Sequence, residues 1–315
     1  MYYLGIDLGG TGVKAGIVTP KGEIVAKKSA PTDRNAGYEE VAKLMANLAI
    51  DLVAESGYKM DDIISVGIGC PGSVDDKTGM VYYSNNIVMK NAPICSEIKK
   101  YIDKPIHIGN DANCAALGEF FALNDESVEN FVAITLGTGV GGGIIIDRKL
   151  YTGFNAVAGE LGHILLKMDG EPCTCGRNGC WEAYASATAL IRDTERCAKE
   201  NPDSLVAKLV AENGGKANGK IPFDAAQSGD EAGKSVVDNY IRYVGEGLAD
   251  IINIFQPNII AIGGGICNQG DNLLVPLKEY VSKLTYGAGI VTSTEIVIAK
   301  LGNDAGIIGA AFLGR

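Results

Sequence analysis

Histidine is scarce in this chain: there are two in 315 residues, His107 and His163, so any chemistry needing an imidazole has only these to draw on. Long apolar runs are missing as well. None approaches the roughly 20 residues a bilayer-spanning helix needs, which argues against a membrane protein. Basic residues are outnumbered, 28 Lys and Arg against 38 Asp and Glu, and the net charge of −10 excludes an extended nucleic-acid surface. The first residues lack a basic n-region followed by a small-residue cleavage site, so the expected compartment is the cytoplasm. What remains is a globular composition, 46% apolar and 21% charged, in a chain long enough for a large core and two lobes.

Eight cysteines in a reducing compartment are expected to be free thiols. Five of them, Cys70, Cys95, Cys114, Cys197 and Cys267, are scattered among apolar neighbours and read as small buried hydrophobes. The other three fall within "CTCGRNGCWE", as Cys173, Cys175 and Cys180. This is not the Cys-x-x-Cys of a redox centre, and a disulfide would strand one of the three. Three thiolates need a fourth ligand for a tetrahedral site, and His163 in "AGELGH" is near enough in sequence to supply it. His107, in "KPIHIGN", reads instead as a packed histidine at the end of a strand. Four protein ligands leave no open position, so the zinc expected here is structural. Gly176 and Gly179 permit the tight turns of such a knot.

The N-terminal segment "MYYLGIDLGGTGVKAGIV" reads as strand, glycine turn, strand. Gly9, Gly10 and Thr11 at the tip offer backbone amides and a hydroxyl suited to phosphate, and Asp7 could hold Mg²⁺ through water. Lys14 is either near phosphate or solvated. The pattern recurs at "NFVAITLGTGVGGGIII", with Gly137, Thr138 and Gly139 at the tip, which suggests two related lobes. Neither turn is a Walker loop, and neither is a dinucleotide fingerprint, because a strand rather than a helix follows. A helix is expected over 38–56, then a buried strand ending in "CPG", then "KPIHIGNDANCAALGEFFAL" as strand, polar turn and helix. Asp111 in that turn sits either as an N-cap or where a catalytic base would lie in an open α/β sheet. Helical segments over about 230–255, a strand "NIIAIGGGIC" and a closing helix complete the chain.

Taken together, "DLGGTGVKAGIV", "NDAN", "LGTGVGGGI", "AGELGH", "CTCGRNGCWE" and "GGGI" resemble, in this order and over nearly the whole chain, the ROK-family sugar kinases. The resemblance is greatest to the bacterial glucokinases of that family. It implies a two-lobed α/β fold of the actin, Hsp70 and hexokinase type, built on ribonuclease H-like lobes with a cleft between them. The expected division is a small lobe over 1–117, a large lobe with the zinc knot over 118–300, and a closing helix over 301–315 returning to the first.

The same resemblance implies ATP-dependent phosphorylation of a hexose at its 6-hydroxyl, glucose above all. Asp111 would be the general base, and Asn110 would hold a neighbouring hydroxyl. Glu160, His163 and Glu182 would grip others, and Gly72 and Asn86 would line the pocket. ATP would lie between 9–11 and 137–139, with Gly264 and Gly265 near its nucleoside and Mg²⁺ near Asp7. Relatives of this kind form homodimers or homotetramers. The family often has tryptophan where this chain has Met89, which leaves mannose, fructose, N-acetylglucosamine and N-acetylmannosamine as alternative sugars. ADP or polyphosphate as donor also stays open. A sugar-responsive repressor would carry a helix-turn-helix before the first strand, which begins here at Tyr2. A non-catalytic sugar sensor would be expected to have lost Asp111.

Overall fold

The computed structural model describes residues 1–84 and 87–315; Asn86, expected at the sugar pocket, lies outside the described residues. The chain divides into two compact units that interleave in sequence. The first comprises residues 1–127, 143–159 and 300–315, the second residues 128–142 and 160–299. The expected boundary at residue 117 falls inside a helix, and the first unit runs on to Ser127. A helix cannot be shared out without exposing its apolar face, so the division comes in the loop after it.

In the first unit the strands are β1 (Tyr2–Leu8), β2 (Gly12–Val18), β3 (Ile24–Pro31), β4 (Ile63–Cys70), β5 (Ser73–Asp75), β6 (Met80–Ser84), β7 (Met89–Ala92) and β8 (Ile106–Asn110). The main sheet has the order β3-β2-β1-β4-β8. Its first three strands form an antiparallel meander, and β1, β4 and β8 run parallel. The parallel strands read as continuous apolar runs because they are buried on both faces. Helix α1 (Tyr38–Glu55) carries Val41, Met45, Leu48 and Leu52 on its buried face, at the spacing the sequence predicts. Helices α2 (Ile94–Lys99) and α3 (Asp111–Ala122) follow β7 and β8. Strands β5, β6 and β7 make a small antiparallel sheet of their own. Met89 in β7 is 3% exposed and belongs to the core of this unit.

In the second unit, strand β9 (Phe131–Leu136) is followed by the glycine turn and by β10 (Val140–Ile146), which passes into the first unit from Gly143 and there pairs with β11 (Lys149–Leu150). Helices α4 (Glu182–Ala185), α5 (Ala187–Glu200), α6 (Leu205–Glu212), α7 (Ile221–Gln227) and α8 (Glu231–Phe255) precede β12 (Ile259–Gly263). Helix α9 (Asp271–Val281) leads to β13 (Glu295–Ile298). Strand β12 pairs in parallel with β9 on one side and β13 on the other. Among the described residues no helix is long and apolar enough to cross a membrane.

The last helix, α10 (Ala305–Phe312), belongs to the first unit and is buried almost all round. It approaches its neighbours so closely that side chains would not fit. A Cβ on Gly67 of β4 would overlap the carbonyl oxygen of Ala310, and one on Gly309 would overlap that of Cys114 in α3. Overpacking of backbone against backbone has no flexible partner to yield. Gly309→Ala is therefore expected to destabilise the first unit by about 2 kcal/mol or more. Chemical denaturation followed by circular dichroism checks this; an unchanged midpoint would show that α10 is less tightly seated.

Candidate active site

The first unit supplies one set of expected site residues. Asn110 ends β8, paired with Cys70 of β4, and caps α3. Its Oδ1 accepts the amides of Ala112 at 2.9 Å and Asn113 at 3.2 Å, and its Nδ2 donates to the carbonyl of Gly72 at 3.1 Å. The N-cap is thus Asn110, and Asp111 is the first residue of the helix proper, where the positive end of the helix favours a carboxylate. Asp111 Oδ1 accepts the Ala112 amide at 2.9 Å. Gly72 has φ +106°, and a Cβ there would overlap the Tyr83 carbonyl, so the turn fixes this residue as glycine. Beneath the turn lie the thiols of Cys70 and Cys114. Burial holds both well above the ordinary thiol range, with the charge of Asp111 adding to the shift. They stay protonated and neutral.

The glycine turn between β1 and β2 is closed by the Gly9 amide donating to the Gly12 carbonyl at 2.9 Å. Thr11 is exposed, and its carbonyl accepts the amide of Thr32 at 3.3 Å. Lys14 lies across the strand pair from Asp7, with its Nζ 3.6 Å from Asp7 Oδ2. Burial raises the Asp7 carboxyl above its usual range, and Lys14 opposes the shift.

The second unit supplies the rest. His163 ends a short 3-10 turn, Leu161–His163, that follows the exposed Glu160. Donor atoms of His163, Cys173, Cys175 and Cys180 all lie within 4.8 Å of one another. Cys173 Sγ is 3.6 Å from His163 Nδ1, and Cys175 Sγ is 3.6 Å from Cys180 Sγ. A tetrahedral zinc, with Zn–S of about 2.3 Å and Zn–N of about 2.05 Å, requires an S···N separation of about 3.6 Å and an S···S separation of about 3.8 Å. The residues present fit such an ion. Gly176 and Gly179, at φ +89° and +82°, turn the chain within the knot. Trp181, fully buried, anchors the knot from behind, with its Nε1 donating to the Tyr243 carbonyl in α8 at 2.7 Å.

The turn over 137–139 is closed by the Gly137 amide and Gly139 carbonyl at 2.9 Å. Three further bonds brace it. Glu182 Oε2 accepts the Val140 amide at 3.0 Å, the Ala187 amide donates to the Gly137 carbonyl at 2.8 Å, and Thr188 Oγ1 donates to the Thr138 carbonyl at 2.8 Å. The sequence predicts one helix from Trp181 onward. The chain breaks it at Ser186, whose extended backbone (ψ 160°) and side chain start α5 afresh by capping Ala189. The break releases the Ala187 amide for the turn. Glu182 Oε1 meanwhile accepts from Thr174 Oγ1 at 3.0 Å and from Cys173 Sγ at 3.6 Å. Past β12, Gly264 takes φ +105° with no room for a Cβ beside the Leu136 carbonyl, whereas Gly265 faces open space.

The model of the ROK family matches residues 3–315. The chain belongs to the ROK family. This ROK protein is 37% identical over 314 residues to a glucokinase of Halalkalibacterium halodurans, covering 99% of this chain and 94% of that one. It is 38% identical over 311 residues to a glucokinase of Thermotoga maritima, covering 98% and 95%. A crystal structure of a ROK family glucokinase from Streptomyces griseus in complex with glucose and AMPPNP matches with a TM-score of 0.81 at 35% identity, over 99% of each chain. The two-lobed α/β sugar-kinase fold expected from the motifs is the fold of this ROK protein.

Sequence reasoning did not single out Thr174, Thr188 or Val140. Thr174, set between two ligand cysteines, carried a signal in its position; a backbone amide such as that of Val140 carries none. Asn110→Ala removes both the cap of α3 and the tie to Gly72, and is expected to cost about 1–2 kcal/mol. Urea denaturation of the variant checks this, and a loss below about 0.5 kcal/mol would mean the cap is replaceable.

Proposed function

We propose that this ROK protein is a hexose kinase that transfers the γ-phosphate of ATP to the 6-hydroxyl of glucose. The observation that carries the reading is full-length similarity to two glucokinases at 37% and 38% identity, with Asp111 at the strand-to-helix turn. Asp111 is the general base. A sugar hydroxyl is a weak nucleophile, and its proton must leave as the bond to phosphorus forms. Two thiols that burial keeps neutral pack behind the carboxylate, so neither adds a negative charge beside it.

Asn110 presents the Gly72 turn and offers its remaining amide hydrogen to a ring hydroxyl. Glu160, His163 and Glu182 accept or donate to the others. An ionised carboxylate has about four acceptor sites. The Val140 amide and Thr174 use two on Glu182, and Cys173 as a zinc-bound thiolate donates nothing, so two remain for substrate. The amides of 9–11 and 137–139 receive phosphate oxygens, and Gly264 and Gly265 leave room for the nucleoside. Mg²⁺, held through Asp7, would neutralise charge between the β- and γ-phosphates. Zinc held by His163, Cys173, Cys175 and Cys180 is structural, since all its positions are protein atoms. With Nδ1 facing the cysteines, Nε2 of His163 is left for a sugar hydroxyl.

A coupled ADP-release assay over glucose, mannose, fructose and the two N-acetylhexosamines tests the reaction; release with none of them would sink it. Asp111→Asn is expected to lower kcat by about 10²–10⁴ with glucose affinity nearly unchanged. Calorimetry alongside kinetics separates the two. Cys175→Ser is expected to lose the metal, and elemental analysis finding no zinc in the unmodified protein would remove zinc from the proposal.

A further inference from the structure

One side chain, Glu182, contacts the metal knot and also helps to hold the second glycine turn. Glu182 stands two residues past Cys180, at the start of α4. One of its oxygens faces the knot and the other faces the turn. Oε1 accepts from Thr174 and Cys173, and Oε2 accepts from the Val140 amide. Gly139 lies so close to this carboxylate that a Cβ there would overlap Oε2. Beyond the pairing of its strands β9 and β10, one bond, from the Gly137 amide to the Gly139 carbonyl, closes the turn.

Metal binding sharpens this arrangement. Cys173 ligates as a thiolate and then has no S–H to donate to Glu182. Thr174 Oγ1 becomes the knot's remaining donor to Oε1, and its position is set by the two ligand cysteines that flank it. Without metal, the segment over 173–180 keeps its backbone bonds, Cys173 N to the Arg177 carbonyl, Gly176 N to the Cys173 carbonyl, and the pairings of Gly179 with Leu166, Lys167 and Glu171. None of these bonds involves Thr174, whose two flanking cysteines would lose their shared anchor.

We propose that Thr174 and Glu182 transmit the order of the metal knot to the turn over 137–140, so that metal occupancy sets nucleotide affinity. Thr174 is a positioning residue: it acts through Glu182 and touches no substrate. The proposal rests on the reading of 137–139 as a phosphate-binding turn, and its test separates the two.

The first readout is amide exchange at Val140, measured by mass spectrometry or NMR on the full chain before and after a chelator. Protection is expected to fall on metal removal and to return with Zn²⁺. Thr174→Val, which keeps all four ligands, is expected to retain the metal yet lose Val140 protection and raise the dissociation constant for ATP roughly tenfold, the worth of one hydrogen bond to a charged group. Thr174→Ser keeps the hydroxyl and is expected to restore both. Unchanged Val140 protection in Thr174→Val with zinc still bound overturns the coupling. Lost protection with unchanged ATP affinity upholds the coupling and overturns the phosphate reading of the turn.

Discussion

The second unit depends on ordering a stretch of chain that has almost no regular structure. Between Glu160 and Cys180 the only helical residues are the three of a 3-10 turn, and two isolated bridges, Leu165 to Cys180 and Pro172 to Asn178, are its only ladder pairs among the described residues. Few of its side chains are buried. Fixing a residue costs about 1–2 kcal/mol of backbone entropy, so some twenty residues require tens of kcal/mol. Turn bonds at about 1 kcal/mol each fall short. A metal ion on the four donors, which lie within 4.8 Å of one another, would add a further tie, and the buried indole of Trp181 seats the segment on α8.

The first unit is ordered by a different device. Its sheet and helices bury a continuous apolar core, and α10 is drawn into backbone contact through Gly67 and Gly309. Residues 300–315 reach that position from the far side of the second unit's sequence. Glu119 of α3, itself buried, receives them: its two oxygens accept the amides of Lys300 and Leu301 at 2.8 Å each. The helix that begins at the proposed base therefore also pins the returning chain, and one element serves two tasks 8 residues apart.

What could be read from the sequence was whatever announces itself locally. Strand, glycine turn and strand over 2–18 follow from alternation and turn chemistry, and α1 follows from the 3.6-residue spacing of its apolar face. That His163 gathers with Cys173, Cys175 and Cys180 was legible because thiols cluster there and imidazoles are rare. Motif order across the whole chain carried the family. Other features depend on partners distant in sequence. Asn110, beside the acid that drew attention, proved to be the cap, because its side chain also reaches Gly72, 38 positions away. The break at Ser186 was hidden because the partner it frees the Ala187 amide for, the Gly137 carbonyl, lies 50 residues before Ala187. Met89 reads as a departure from a motif, yet its burial is a matter of packing that no local pattern encodes.

The two glycine turns look alike in sequence, and the structure supports them unequally. In the first, strand neighbours do the bracing: β2 pairs with both β1 and β3, and the Thr32 amide reaches the Thr11 carbonyl. Those bonds belong to a sheet and persist as long as the sheet does. The second turn also joins two paired strands, β9 and β10, and is held in addition from the side, by Glu182, by the Ala187 amide and by Thr188, all within the seven residues that begin two positions after Cys180. A carboxylate held by a hydroxyl is a more conditional support than a ladder, since it fails when either partner is displaced. Both tips thus rest on paired strands, and the second carries, beyond its ladder, a side-chain support that the first turn's described bonds do not include.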